Sequence, residues 1–215
     1  PAGGWFFYDF AYYGNTLLQP RVLAAIFGGH KDLAAEASQN CVVALMGVGF
    51  TLVAIPLIVP IGTANLQALG FVFNSLVSLV LACVWTSLEA EGRSAAQFSL
   101  YALLYGSYWV CNVTTFVLPS ETFEPEVRSS LNGLSAAAGK VGAILGTTIF
   151  EKLLGGFDDE NEGVRAILFL CTAASSLGAL VTAAGVGVTL PGCARRRADA
   201  QHRPSVAPLS AASES

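Results

Sequence analysis

Two ionisable residues stand where charge is expensive. Lys140 is the one charged residue in the apolar run Ser129–Phe150, and Asp9 is the one charged residue in Trp5-Phe-Phe-Tyr-Asp-Phe-Ala-Tyr-Tyr13. An ionisable group inside a membrane helix costs roughly 3 kcal/mol on insertion scales, so it usually marks a substrate or ion pathway. Lys140 lies about ten residues from either end of its run, too deep for its ammonium to reach the interface easily. Trp5, Asp9 and Tyr13 recur at i, i+4 and i+8, which places two aromatic groups and a carboxylate on one helix face. A buried cation and a buried carboxylate in a helical bundle are the equipment of a transporter for a small anion coupled to protons.

Asn112, in Cys111-Asn-Val-Thr-Thr-Phe116, is a third polar residue inside an apolar run. Its Asn-Val-Thr is formally a glycosylation sequon, but a sequon within the membrane is out of reach of that chemistry. Such a side chain either bonds a neighbouring helix, for about 1 kcal/mol or less, or faces the cavity that holds the lysine. Ser135-Ala-Ala-Ala-Gly139, Gly142 and Gly146 surround Lys140 with small residues; Gly142 and Gly146 allow close helix packing, which leaves the lysine unexplained. Glu121, Glu124, Glu126 and Arg128 form either a solvated loop or a salt-bridge latch between helix ends, with Glu121 and Arg128 as its partners. His30 and His202 carry no assigned role.

The elements that position these residues are membrane helices. The chain is 53% hydrophobic and 12% charged, with a mean hydropathy of +0.59. No Asp, Glu, Lys or Arg occurs over the 52 residues Ala37–Leu88, nor in Ser94–Ser120 or Ala166–Ala194. About 20 apolar residues cross a bilayer core, and a water-soluble domain of this length would intersperse charge. Six crossings follow: about Gly4–Gln19 (to Phe27 if the helix passes Pro20, which should bend or end it), Cys41–Val59, Leu66–Leu88, Ala96–Leu118, Leu131–Leu153 and Val164–Leu190. Turn residues in Pro60-Ile-Gly-Thr-Ala-Asn65 divide the second from the third. The loops are Gly28–Asn40, Glu89–Arg93, Pro119–Arg128 and Phe157–Glu162. Residues 1–190 form an all-α six-helix bundle. Residues 191–215 form a polar tail expected to be disordered.

With six crossings both ends share one side of the membrane. That side holds Arg128, Arg195, Arg196, Arg197 and Arg203 against Lys31, Arg93, Lys152 and Arg165 on the other. The Arg195–Arg197 cluster after the last helix places the tail in the cytoplasm. A net charge of −4 with no basic stripe argues against nucleic acid as a partner. The five cysteines, Cys41, Cys83, Cys111, Cys171 and Cys193, have no metal-ligand spacing, and four of them fall inside apolar runs, where Cys behaves as a small hydrophobe. No nucleophile–base pair, cofactor motif or metal cluster points to an enzyme. The chain opens on Pro1-Ala-Gly-Gly without an initiator Met or a signal peptide, and reads as a fragment of a longer chain.

Trp5-x-x-x-Asp9-x-x-x-Tyr13-Gly, Asn112-Val-Thr-Thr-Phe-Val-Leu-Pro119-x-Glu121, Arg128-Ser and Gly133-Leu-Ser-Ala-Ala-Ala-Gly-Lys140-Val-Gly-Ala resemble the plant and fungal proton-coupled inorganic phosphate symporters of the major facilitator superfamily. Gln67-Ala-Leu-Gly-Phe71 also fits, and the resemblance runs from Trp5 to about Phe150. It implies that the chain is the C-terminal half, helices seven to twelve, of a multi-pass plasma-membrane transporter whose N-terminal half is missing. It also implies phosphate contacts from Trp5, Asp9, Tyr13 and Asn112, with Lys140 beside them. The chemistry agrees: an arriving anion favours the protonated form of a neighbouring carboxyl, so Asp9 links proton to substrate, while Trp5 and Tyr13 donate hydrogen bonds.

The chain departs from the family pattern in three places. Val59-Pro-Ile-Gly62-Thr63 replaces Asp-x-x-Gly-Arg, Glu121-Thr-Phe-Glu-Pro-Glu-Val-Arg128 replaces Glu-x-Phe-Pro-x-Arg-x-Arg, and Tyr108-Trp-Val-Cys111 precedes Asn112. A transporter of sugars or organic anions, and a non-transporting membrane protein derived from one, are the competing readings.

Overall fold

The computed structural model describes residues 1–27 and 33–186 of the 215-residue chain. His30, Lys31, Cys193, the Arg195–Arg197 cluster, His202 and the tail lie outside the described residues. The described residues form six helices: α1 Ala2–Phe27, α2 Leu33–Ile61, α3 Thr63–Ala90, α4 Ser94–Thr122, α5 Pro125–Leu154 and α6 Glu160–Val186. Four of them, α2, α3, α5 and α6, are long and apolar enough to cross a membrane. Helices α1 and α4 match them in length, with 26 and 29 residues. At 1.5 Å per residue each exceeds the roughly 30 Å hydrocarbon core. They are less apolar because they carry the polar groups: Asp9, Asn15 and Gln19 on α1, and Gln97, Ser107, Asn112 and Thr114 on α4.

Helix ends differ from the hydropathy boundaries in ways local chemistry explains. Helix α1 continues through Pro20 to Phe27 and exposes Arg21 just beyond it. Helix α4 likewise passes Pro119, and α5 starts on Pro125 at its first turn, where a missing N–H costs nothing. The charged loop expected over Pro119–Arg128 therefore shrinks to Phe123 and Glu124. Helix α2 begins at Leu33 rather than Cys41, since Leu33-Ala-Ala-Glu-Ala-Ser-Gln is rich in good helix formers. The α2–α3 division falls where expected, at Gly62, whose φ of 86° suits a residue without Cβ.

Helix α1 packs against α5, α6 and α4, while α3 packs on α6 and α4, and α2 on α4. The α1–α5 seam is the closest. A Cβ at Gly142 would strike the Phe6 carbonyl, and one at Gly146 the Phe10 carbonyl. The two backbones touch there, as small-residue packing allows in membranes. Trp85, Tyr101, Tyr108, Phe71, Phe150 and Leu104 fill the interior. Ser107 donates to Asn74, Ser78 to the Leu168 carbonyl, and Gln67 to Thr182 across helices. Large apolar side chains instead face outward along α2 (Leu45, Val48, Leu52, Val53, Ile55) and α5 (Leu134, Val141, Ile144), the reverse of a water-soluble bundle.

Candidate functional site

The glycine seam assembles the site. Gly139, Gly142 and Gly146 lie against α1. Lys140 is turned about 100° from Gly139 around the helix axis, so its side chain leaves the seam at the edge. Its Nζ donates to Asp9 Oδ2 at 3.5 Å and to the Tyr13 hydroxyl at 3.4 Å, and lies 4.8 Å from the centre of the Tyr13 ring. Trp5 packs on the same patch. A Cβ on Gly139 would stand 2.8 Å from Asp9 Oδ2 and 2.9 Å from Trp5 Nε1. The missing side chain is thus the space in which carboxylate and indole N–H converge. Phe116 of α4 holds the other side of the Trp5 ring, edge to face at 4.8 Å.

One expectation is corrected. Lys140 is not buried: its side chain is 63% exposed, against 2% for Asp9. Among the described residues its outer side is uncovered. The lysine is a lid on a buried carboxylate. The outer side of the ammonium is open, so an anion can approach it while it still holds the buried carboxylate.

Asn112 joins the group from α4 indirectly. Its Nδ2 donates to the Tyr8 hydroxyl at 2.6 Å, and Tyr8, almost fully buried, stacks on Tyr12 at 5.4 Å. Asn112 stands one turn before Phe116, the partner of Trp5. The structure therefore joins Lys140 to Asp9 and Tyr13, brings Trp5 and Asp9 together over Gly139, and ties Asn112 to Tyr8, the neighbour of Asp9 in the chain, with no hydrogen bond to the other four among the described residues.

Glu121 and Arg128 lie apart from this group, at the α4–α5 junction. The expected latch between them is not formed among the described residues: Arg128 Nε donates to the Phe123 carbonyl at 3.1 Å instead. The short two-residue connection brings that carbonyl within reach first.

Two features escaped sequence reasoning. Tyr8 is one of several aromatics in Trp5–Tyr13, and nothing in its type distinguishes it. Gly139 sits in a run of small residues where its particular contact is invisible. A further polar column continues along α1, where the Tyr105 hydroxyl meets the Tyr12 hydroxyl at 3.3 Å and Thr16 at 3.2 Å. Gln19 donates to Asn40 at 2.6 Å. An open cleft lined by Leu17, Thr147, Thr148, Glu151, Lys152 and Gly155 lies about two turns along the α1–α5 seam from Lys140.

Chemically, the group offers an ammonium, an indole N–H and a phenol as donors, with a carboxylate that becomes a donor when protonated. That set suits an oxyanion. No cluster of His, Cys, Asp and Glu suited to a metal ion occurs among the described residues.

The family model described as "Sugar (and other) transporter" matches residues 28–185. The chain is 31% identical over 178 residues to inorganic phosphate transporter PT2 of Toxoplasma gondii, covering 82% of this chain and 30% of that protein. It is 31% identical over 201 residues to inorganic phosphate transporter 1-6 of Oryza sativa, covering 83% and 37%. It is 33% identical over 159 residues to low affinity inorganic phosphate transporter 4 of Lotus japonicus, covering 66% and 29%. The chain thus spans about a third of the length of the curated relatives it matches.

Proposed function

The chain belongs to the sugar (and other) transporter family, an integral membrane family of transporters rather than enzymes, and from that premise we propose that it forms one half of a proton-coupled importer of inorganic phosphate. The observation that carries the reading is the Lys140 ammonium poised over Asp9 and Tyr13 with its outer side open. Kinship with inorganic phosphate transporters names the anion.

Phosphate enters from the open side of Lys140 and takes its ammonium, with Trp5 Nε1 and the Tyr13 hydroxyl as further donors. Asp9 then lacks its cation and faces an anion, so it takes a proton from water and turns from acceptor to donor. Phosphate and proton thereby load together, and departure of phosphate lets Lys140 return as the proton leaves. All six helices cross the membrane in this reading, and the tail is cytoplasmic, in the plasma membrane. Glu121 and Arg128 serve the membrane surface, away from the anion. A second six-helix half covers Lys140, since alternating access needs one half to rock against another. The length of the relatives supports this, as does the uncovered lysine.

A neutral sugar or an organic anion is the competing substrate, because the family description includes sugars. The ion pair disfavours a neutral one: a sugar gains little from a full positive charge.

The test is labelled-phosphate uptake in cells lacking their own phosphate importers. The chain alone is compared with the chain joined to a phosphate symporter's N-terminal half, at acidic and near-neutral pH. Uptake in the joined form only, stimulated by acid and abolished by Lys140→Ala, supports the proposal. A correctly inserted joined form that carries labelled organic anion or sugar but no phosphate refutes it.

A further inference from the structure

We infer that the first turns of α5 are the docking face for a segment of this same chain, Arg195-Arg-Arg197, which follows α6.

Helix α5 has two parts. From Ser135 onward one face is buried, and its glycines lie against α1. Before Ser135 the helix has almost no cover. Every residue from Glu124 to Ser130 is exposed, and so are Asn132, Gly133 and Leu134. A Cβ on Gly133 would meet nothing within 4 Å. Glu124 and Glu126 stand on this uncovered stretch, and Glu121 stands beside it on the last turn of α4. None of the three carboxylates has an ion-pair partner among the described residues. The neighbouring base, Arg128, donates its Nε to the Phe123 carbonyl instead.

The helix order brings the arginines to this face. Helix α3 runs antiparallel to α4, since Gln97 bonds the Trp85 carbonyl and Ser107 bonds Asn74. It runs antiparallel to α6 as well, since Trp85 bonds Asn161 and Gln67 bonds Thr182. The end of α4, the start of α5 and the end of α6 therefore share one end of the bundle. Helices α4 and α6 both pack on α3, so their ends lie within about two interhelical spacings, roughly 20 Å. Eight residues separate Val186, where α6 ends, from Arg195. A chain of that length reaches about 30 Å when extended. Charge selects the target. Among the described residues, Glu121, Glu124 and Glu126 are the acids of this end, and the α2–α3 turn Val59–Thr63 carries no charge. Residues 187–215 carry Arg195, Arg196, Arg197 and Arg203 against Asp199 and Glu214. Exposed ion pairs are individually weak, but the tether keeps the three arginines at high effective concentration near the three carboxylates. Docking ties the exit of α6 to the start of α5, the helix that carries Lys140.

The test is a cross-linking rate in the full 215-residue chain, alone and in the joined form, inserted in vesicles. Cys193, two residues before Arg195, is kept, Cys41, Cys83, Cys111 and Cys171 are replaced by Ser or Ala, and Val127→Cys is added on the exposed face. A short bismaleimide should join the two thiols within one chain, more slowly as salt is raised. Arg195→Gln, Arg196→Gln and Arg197→Gln together should slow the reaction by about fivefold or more, as should Glu121→Gln, Glu124→Gln and Glu126→Gln together. The charge swap, all three Glu→Arg with all three Arg→Glu, should restore it, which a merely damaged fold would not. No cross-link, or a rate indifferent to the Glu substitutions, overturns the inference. So does a cross-link present in zwitterionic vesicles but lost in anionic ones, which would assign the arginines to lipid headgroups. So does a cross-link lost in the joined form, which would assign the face to the second half.

Discussion

In the proposed mechanism Asp9 and Lys140 form a switch whose state sets the pH response. If protonation of Asp9 accompanies loading, as proposed, uptake by the joined form should rise as pH falls, and Asp9→Asn should remove that rise. Asn mimics the protonated carboxyl but cannot discharge a proton, so residual uptake should be flat with pH and at least about tenfold slower, a loss of about 1.4 kcal/mol. Acid-stimulated uptake persisting in Asp9→Asn would move the coupling elsewhere. Gly139 supplies a sharper geometric test. A methyl there lands within 3 Å of both Asp9 Oδ2 and Trp5 Nε1, so Gly139→Ala should raise the KM for phosphate several-fold while the protein still inserts. Gly133→Ala, whose Cβ would meet nothing within 4 Å, should leave KM unchanged. The identities of Asp9 and Lys140 were readable from their isolation in apolar runs, since charge in such a setting is seldom accidental. The exposure of Lys140 was not readable. Burial belongs to the neighbours a side chain finds, and a one-residue step from Gly139 separates seam from edge. Tyr8 was hidden for a related reason: in an aromatic segment, the role of one ring depends on a hydrogen-bond partner 104 positions away.

The helices hold the site through backbone contact rather than side-chain bulk, and this sets what mutation does to them. Gly142→Ala and Gly146→Ala would each push a methyl into a carbonyl of α1, at Phe6 and Phe10. Overpacking of this kind typically costs about 1–3 kcal/mol. Each should lower the thermal midpoint in detergent and draw Lys140 off Asp9, so stability and phosphate affinity fall together. A stable variant with intact affinity would show that the seam yields. At the far end of the bundle, Asn161 ties α6 to α3: Trp85 Nε1 donates to its Oδ1 at 2.9 Å, and its Nδ2 donates to Glu89 Oε1 at 2.6 Å. Asn161→Ala leaves the fully buried Trp85 with an unpaired N–H, at a cost of about 1–3 kcal/mol. It should lower the thermal midpoint without touching affinity, and a reduced phosphate affinity would mean this end communicates with the site. Gly142 and Gly146 were legible as packing residues by spacing alone. Helix ends were less so. Pro20 and Pro119 looked like breaks, yet both helices pass them, as membrane helices can when neighbours re-satisfy the freed carbonyls.

At the scale of the whole molecule, the outward surface carries two kinds of character. Helix α2 presents Leu45, Val48, Leu52 and Ile55, a surface fit for lipid. The edge of α1 and α5 presents Lys140 at 63% exposure and Tyr13 at 37%. A lysine at mid-helix facing hydrocarbon would be costly, so that edge requires either water or a protein cover. The proposed second half would supply both, by closing over the edge while enclosing an aqueous path to it. The hydropathy pattern revealed apolar helices but not which of their faces lacks a partner, because that follows from packing among helices distant in the chain. The prediction is one of accessibility. Lys140→Cys, made with Cys41, Cys83, Cys111, Cys171 and Cys193 replaced by Ser or Ala, should react quickly with a water-soluble maleimide in the chain alone. In the joined form the reaction should slow by about tenfold or more, and saturating phosphate at one face of the membrane should change it again as the cover rocks. Equal rates in the two forms would mean that the second half seats elsewhere, leaving the Asp9–Lys140 pair outside the transport path. Slow reaction in both would place the edge against lipid.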